Sequence, residues 1–314
     1  MKQRNLGKSG LLVSVVGLGC NNFGMRIDLE ASRKVVHKAI DSGITLLDTA
    51  DIYGNKGGSE DFLGQILGSR RKDIVLATKF AMPMDEAGTL KGASRRYIMR
   101  AVEDSLRRLR TDWIDLYQQH QPDPLTPMEE TLRALDDLVR QGKVRYIGCS
   151  NLPAWEIVEA QWTAKHHNLN AFVSCQDEYS LVFRGIEKDL VPAMQAYNLG
   201  LLPFFPLASG LLTGKYKRNA PLPEGTRLAN TKRLADRYIS DANWTIVEKL
   251  SEFASARGHT MLELAFSWLA SRPYVSSVIA GATKPEQIDQ NIKAVEWAMT
   301  PEEIAEIDKI SAKG

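Results

Sequence analysis

The feature that most restricts the fold of this chain is a rhythm that runs from one end to the other: short apolar runs alternate with amphipathic stretches of helical period. Val15-Val16-Gly17-Leu18 precedes a predicted helix near 29–42, Thr45-Leu46-Leu47 one near 58–68, and Ile74-Val75-Leu76-Ala77 one near 94–110. Trp113–Tyr117 precedes 127–141, Val144–Ile147 precedes 153–167, and Phe172–Cys175 precedes 186–198. Leu201–Phe205 leads through a long loop to helices within 242–271, Val275–Ile279 leads to 285–298, and a last helix covers about 301–311. The runs are β-branched or aromatic and almost continuously apolar, as strands covered on both faces must be. Helix starts carry caps, as in Thr126-Pro127 before Glu129-Glu130 and Thr300-Pro301 before Glu302-Glu303. Gly142, Gly200 and Gly258 stand where helices stop. Eight strand–helix units without a composition break predict one domain over 1–314, an α/β (β/α)8 barrel with extra C-terminal helices. A doubly wound sheet is the competing architecture. The first fourteen residues alternate around Gly7–Gly10 and predict a β-hairpin outside the barrel.

Charge excludes several partners. Lys and Arg number 40 against 38 Asp and Glu, a net charge of +2, so no bulk field favours nucleic acid or a membrane surface. Cys20, Cys149 and Cys175 lie far apart without metal-ligand spacing, and read as buried free thiols of a reducing compartment. Two segments imitate membrane signals. Residues 1–20 join basic residues to an apolar stretch, but Gly10, Gly17 and Gly19 dilute it. Leu190–Gly214 carries no charge, yet Pro192, Pro203 and Pro206 interrupt it, which suits a buried strand with loops. A cytoplasmic protein is expected.

Local motifs are mostly negative. Gly17-Leu18-Gly19 opens like a dinucleotide fingerprint, but Asn22 stands where its third glycine belongs. Thr213-Gly214-Lys215-Tyr216 lacks the hydroxyl and the upstream glycine of a phosphate-binding loop. No HExxH is present, and no metal is expected.

The chemistry emerges at the predicted strand ends. Asp48 ends the second run, Tyr53 follows in its loop, Lys79 ends the third and His120 the fourth. Each alone has a bland reading as a cap, a packing residue, a surface charge or a core histidine. Together, on three neighbouring barrel strands, they converge on one rim. Asp48 can orient the Lys79 ammonium, which in turn is expected to lower the Tyr53 pKa and make it a tuned acid–base. His120 can hydrogen-bond the same reacting oxygen. Such a group suits a carbonyl protonated as it becomes an alcohol, with the electrons coming from a bound cofactor.

At these residues the chain resembles the aldo-keto reductases, in their broad bacterial and potassium-channel-β-like branch, over essentially its whole length. Asp48-Thr49-Ala50-Asp51-Ile52-Tyr53-Gly54 with Ser59-Glu60 resembles the family's first signature. Ala77-Thr78-Lys79, Asp115-Leu116-Tyr117 with His120, and Gly142–Gly148 leading to Ser150-Asn151 resemble three more. Phe204–Tyr216 and Gly281-Ala282-Thr283 with Gln287 and Asn291 complete the set. The resemblance implies a catalytic tetrad of Asp48, Tyr53, Lys79 and His120, and NADPH held across the barrel mouth without a Rossmann unit. By the same resemblance Ser150, Asn151 and Gln176, with Asp48, lie at the nicotinamide carboxamide, and Phe204 lies against its ring. Phe205, Pro206, Leu207, Ala208, Gly210 and Lys215 match the pyrophosphate loop, and Gly281, Thr283, Gln287, Gln290 and Asn291 the adenosine end. Gly19, Cys20 and Arg26 fall where the first loop touches the cofactor, and Arg227, with Lys284 nearby, matches the cation for a 2′-phosphate. Gln290 stands where many relatives carry Glu, and Gln287 where some carry Arg. Those two positions depart from the family pattern, and the match at Arg227 is the ground on which NADPH is expected in preference to NADH.

For the substrate, Phe23, Phe80 and Tyr179, with Met82, Phe183 and Tyr238 or Trp244, are expected to line an apolar rim pocket for aldehydes or ketones. Arg184 is read as a solvated surface charge. The leading function is NADPH-dependent carbonyl reduction. The alternatives are an NADPH-binding regulatory or redox-sensing subunit with little turnover, and a barrel lyase or aldolase using Lys79 as a Schiff base.

Overall fold

The computed structural model describes residues 1–312. A hairpin of β1 (Gln3–Asn5) and β2 (Leu12–Ser14) comes first, antiparallel with Arg4 opposite Val13. Then follow β3 (Val16–Gly19), α1 (Leu29–Asp41), β4 (Leu46–Asp48), α2 (Tyr53–Leu67), β5 (Val75–Phe80), α3 (Arg95–Leu109), β6 (Ile114–Gln119) and α4 (Met128–Arg140). The second half holds β7 (Val144–Ser150), α5 (Ala154–His167), β8 (Ser174–Gln176), α6 (Leu190–Tyr197) and β9 (Gly200–Leu201). Short helices α7 (Arg227–Asn230) and α8 (Lys232–Tyr238) cross the loop to α9 (Asp241–Ser255) and α10 (Met261–Ser271). β10 (Val278–Gly281), α11 (Pro285–Lys293) and α12 (Pro301–Ser311) end the chain.

The eight strands β3 to β10 form one parallel sheet in the order β10-β3-β4-β5-β6-β7-β8-β9. The sheet curls until its ends meet: Leu201 bridges Val275 in parallel, and the Ser276 amide donates to the Leu201 carbonyl at 2.9 Å. The architecture is the expected (β/α)8 barrel. Its last strands differ in extent from the expected 201–205 and 275–279. Pro203 has no N–H to give a ladder, which confines β9 to two residues, and β10 starts later because its upstream end is used in closure.

Side chains alternate across a strand, so every second residue enters the barrel. Leu46, Val75, Ala77, Leu116 and Leu202 make the lower interior, Ile279 continues the cluster upward, and Leu6 and Val13 of the hairpin plug its N-terminal end. Burying a side chain of this size is worth about 1.5–3 kcal/mol. The other face of each strand meets the helices in a second, larger apolar cluster that includes Leu47, Leu76, Tyr117 and Ile147. All three cysteines are buried and free, as expected. Among the described residues no helix is long and apolar enough to cross a membrane.

Candidate active site

The inward alternation that builds the apolar interior also delivers the polar layer above it. Leu46 is followed inward by Asp48, Val75 and Ala77 by Lys79, and Leu116 by Gln118 and then His120, just past the strand end. Lys79 and Asp48 are buried. The Lys79 ammonium donates to Asp48 Oδ2 at 2.7 Å and to the Thr49 carbonyl at 2.9 Å. Gln176 and Gln118 donate to the other oxygen, Asp48 Oδ1, at 2.8 and 3.2 Å. Burial works against the Lys79 charge, but Asp48 and then Tyr53 outweigh it and hold the ammonium above its ordinary pKa. Lys79 Nζ also lies 5.1 Å from the Tyr53 ring centroid.

Tyr53 reaches this layer through an unusual backbone. Helix α2 is right-handed only from about residue 58, its predicted start; residues 54–57 run left-handed, with φ of 68°, 59°, 68° and 115°. Asn55 and Lys56 carry side chains in that region, a strain that persists where surrounding contacts hold it. Ser59 and Glu60 supply such contacts. Ser59 Oγ donates to the Cys20 carbonyl at 2.8 Å, and Glu60 accepts from Thr78 at 2.5 Å and pairs with Arg108 at 2.7 Å. A Cβ at Gly54 would stand 2.4 Å from the Ser59 nitrogen and 2.7 Å from the Phe23 carbonyl oxygen. Gly54→Ala is therefore expected to cost about 1–3 kcal/mol of stability and to displace Tyr53. Thermal unfolding checks the first effect and turnover the second.

Burial raises the Tyr53 pKa; Lys79 pulls it down, and Asp48 pushes it up again. The expected net lowering by Lys79 is thus corrected. The ammonium acts in that direction, but loss of solvent is the larger influence, and the phenol is held protonated. His120 stands edge-on to Tyr53, with ring centroids 5.8 Å apart and planes at 81°. Burial, reinforced by the Lys79 charge, pushes its pKa down to about 3, so the imidazole is neutral at physiological pH.

Tyr53, His120 and Asp48 open onto a cavity of about 600 Å³ at the C-terminal mouth of the barrel, where this fold concentrates its chemistry. Three cations line the cavity, Arg26, Lys215 and Arg227, and among the described residues none of them is in an ion pair. The Arg227 guanidinium lies 4.9 Å over the Phe205 ring, and burial, then Arg26, lowers its pKa. Lys215 lies against Gly210, whose φ of 100° favours glycine and whose Cβ position is 2.9 Å from the lysine Nζ. Phe205, Ala208, Ser209 and Gly210 all have positive φ, in a tight loop whose Ala208 and Gly210 amides donate to the Phe205 and Leu207 carbonyls at 2.8 Å.

The family model for the aldo/keto reductase family matches residues 15–312. The chain belongs to the aldo/keto reductase family. It is 38% identical over 318 residues to a probable voltage-gated potassium channel subunit beta of Oryza sativa, covering 99% of this chain and 96% of that protein. It is 37% identical to an uncharacterized oxidoreductase of Bacillus subtilis, covering 96% and 93%. It is 33% identical to the L-glyceraldehyde 3-phosphate reductase of Escherichia coli, covering 100% and 93%.

In this aldo/keto reductase, the structure brings most of the sequence-predicted cofactor residues to one wall. Gly19, Arg26, Ser150, Asn151, Gln176, Phe204, Phe205, Pro206, Leu207, Gly210, Lys215, Arg227, Gly281, Thr283 and Gln287 line the cavity. Cys20 and Ala208 do not; both are wholly buried, with the Cys20 thiol turned to the Leu18 carbonyl. Gln290 and Asn291 lie farther along α11 and outside the wall; Lys284, which caps the start of α11, is also outside it.

The expected substrate pocket needs correction. Phe23, Phe80 and Tyr179 are 0% exposed. Phe80 follows inward-facing Lys79, so it turns outward and packs on Tyr117 at 4.8 Å. Tyr179 packs on Trp268 at 5.1 Å and donates to Glu187 at 2.5 Å. Met82, Phe183, Tyr238 and Trp244 are likewise absent from the wall. Arg184 is not simply solvated either; it pairs with Glu187 at 2.8 Å and Asp308 at 3.2 Å. Residues that sequence reasoning missed include Asn21, Asn22 and Ser209 on the wall, and Gln118 beneath it. Only Gln118 carried a signal, its even spacing between Leu116 and His120.

Proposed function

We propose that this oxidoreductase reduces the carbonyl of an aldehyde or ketone with NADPH, in a reversible reaction in which Tyr53 is the general acid–base. The observation that carries the reading is the Asp48–Lys79–Tyr53–His120 group opening onto a cavity lined by unpaired cations. Those cations, Arg26, Lys215 and Arg227, fit a ligand bearing several phosphates. Arg26, Lys215 and Arg227 would hold its phosphates, and Ser150, Asn151 and Gln176 its carboxamide. Bound NADPH supplies a hydride to the carbonyl carbon.

The protein's own part is the proton. Tyr53, kept protonated by burial, donates to the carbonyl oxygen as the alcohol forms. Lys79, charged because Asp48 holds it, stabilises the phenolate left behind. Neutral His120 has one ring N–H with which to bind and orient the same oxygen. The E. coli relative's name, a reductase of an aldose phosphate, agrees with a carbonyl substrate. A cytoplasmic location belongs to this reading and agrees with three buried free thiols.

The test is a fluorescence titration with NADPH and NADH, followed by turnover on a panel of carbonyls. Tight NADPH binding with turnover is expected. The 38% identity to a channel subunit favours the second reading, a regulatory NADPH-binding subunit. Binding with no turnover across the panel would select it. The pH profile is a further check. His120 is already neutral well below pH 5 and Tyr53 stays protonated, so kcat for reduction is expected to be level from about pH 5 to 8 and to fall only on the alkaline side. A limb near the ordinary histidine range, lost in His120→Asn, would show instead that this imidazole titrates.

A further inference from the structure

Asp48 has two oxygens with separate duties. Oδ2 faces the Lys79 ammonium, and Oδ1 accepts from two amides, Gln176 and Gln118. The amides are not equivalent. Gln176 lies on the cavity wall, while Gln118 is fully buried below it. Any demand that a ligand makes on Gln176 leaves Gln118 as the donor given over to Asp48. We infer that Gln118 is a positioning residue, which locks the Asp48 carboxylate so that Lys79 stays charged and aimed at Tyr53; this rests on the reading of the site given above.

The surroundings of Gln118 fit that task. On β6 it pairs in register with Lys79 of β5 on one side and Gly148 of β7 on the other, so the three occupy one level of the barrel. Glycine at 148 makes the room: a Cβ there would lie 3.3 Å from Gln118 Cγ and 2.5 Å from Ser174 Oγ. A carboxylate offers only acceptors, so the Gln118 nitrogen must face Asp48, and its Oε1 turns away. Oε1 has no hydrogen-bond partner among the described residues, and neither does Ser174 Oγ. A fully buried amide that leaves its own oxygen unpaired while donating to Asp48 is poorly explained by packing alone, because methionine would fill the same space without an orphaned oxygen.

The experiment compares Gln118→Met with Gln118→Glu, alone and in an Asp48→Asn background, in the full-length protein. Gln118→Met is expected to lower kcat about tenfold or more with the NADPH dissociation constant nearly unchanged, and to lower Tm only modestly, because Gln176 still donates to Asp48 Oδ1. In Asp48→Asn the same substitution is expected to have little further effect, since its action runs through the missing carboxylate. Gln118→Glu keeps the shape and adds a proton switch. Protonated, the new carboxyl can donate to Asp48; ionised, it cannot. Its kcat relative to wild type is expected to fall as pH rises, whereas Gln118→Met stays uniformly low. If Gln118→Met fails to fold, the pH dependence of Gln118→Glu still decides. Wild-type kcat in Gln118→Met, an equal loss in the Asp48→Asn background, or a pH-independent Gln118→Glu would each overturn the inference. Tyr53→Phe, run in parallel, separates the two readings: full activity in that variant sinks the proposed mechanism itself, while its loss beside an unaffected Gln118→Met sinks only the role of Gln118.

Discussion

Replacing Tyr53 by Phe is expected to lower kcat for carbonyl reduction by about 10²- to 10⁴-fold, the contribution of a positioned general acid, and to leave NADPH affinity nearly unchanged. The substitution removes one oxygen from a half-buried ring on the cavity wall and keeps the edge-on contact with His120, so the site retains its shape. Neither neighbouring candidate has the same combination of properties. Lys79 is an ammonium committed to Asp48 and the Thr49 carbonyl, and giving up its proton would leave the buried Asp48 carboxylate without its partner. His120 is neutral, with its pKa pushed down to about 3, so its ring N–H is available to hydrogen-bond a substrate oxygen without being a strong proton source. Stopped-flow reduction with and without Tyr53, alongside a binding titration, checks both halves. Full turnover in the variant would exclude Tyr53 as the acid. The same experiment bears on the Schiff-base alternative, for a paired ammonium is a poor nucleophile and an aldolase would not need the phenol.

The reactive group was legible because a parallel barrel imposes a simple rule. Apolar residues fill the interior along each strand, and the first inward polar residue marks the open end, as Asp48 follows Leu46 and Lys79 follows Ala77. The same rule, carried one step further, separates Phe80 from Lys79 and turns it to the helices. Aromatic character at a strand end is thus a poor guide to a pocket unless the register is counted. Gln118 was hidden by the opposite ambiguity. Gln118-Gln119 closes the run with two polar residues of one kind; counting from Leu116 turns Gln118 inward, but only the pairing with Lys79 and Gly148 shows what it meets there. The Tyr53 pKa lay beyond sequence altogether, because it depends on how completely the fold removes water from the phenol. Arg227 stood out through family resemblance alone, since its loop has no period from which a direction can be read.

That arginine carries the second large effect. Arg227→Ala is expected to weaken NADPH binding about 10- to 100-fold and NADH binding by no more than about threefold, so the preference between the two collapses. A charge-assisted contact to a phosphate is worth about 1.5–3 kcal/mol, and each 1.4 kcal/mol is a factor of ten. The arginine is well suited to the task. Its guanidinium is stacked at 4.9 Å on Phe205, which fixes the fork, and the nearby Arg26 charge makes the unliganded state electrostatically unfavourable until an anion arrives. Arg227→Lys keeps the charge and gives up the planar fork, and an intermediate affinity is expected. Raising the salt concentration should weaken NADPH binding to the wild type more than to Arg227→Ala, because a phosphate contact is screened and a stacking contact is not. An equal loss for NADPH and NADH would mean that Arg227 serves the cavity by holding Phe205 and its loop in place, and that the phosphate is met by Lys215 or Arg26 instead.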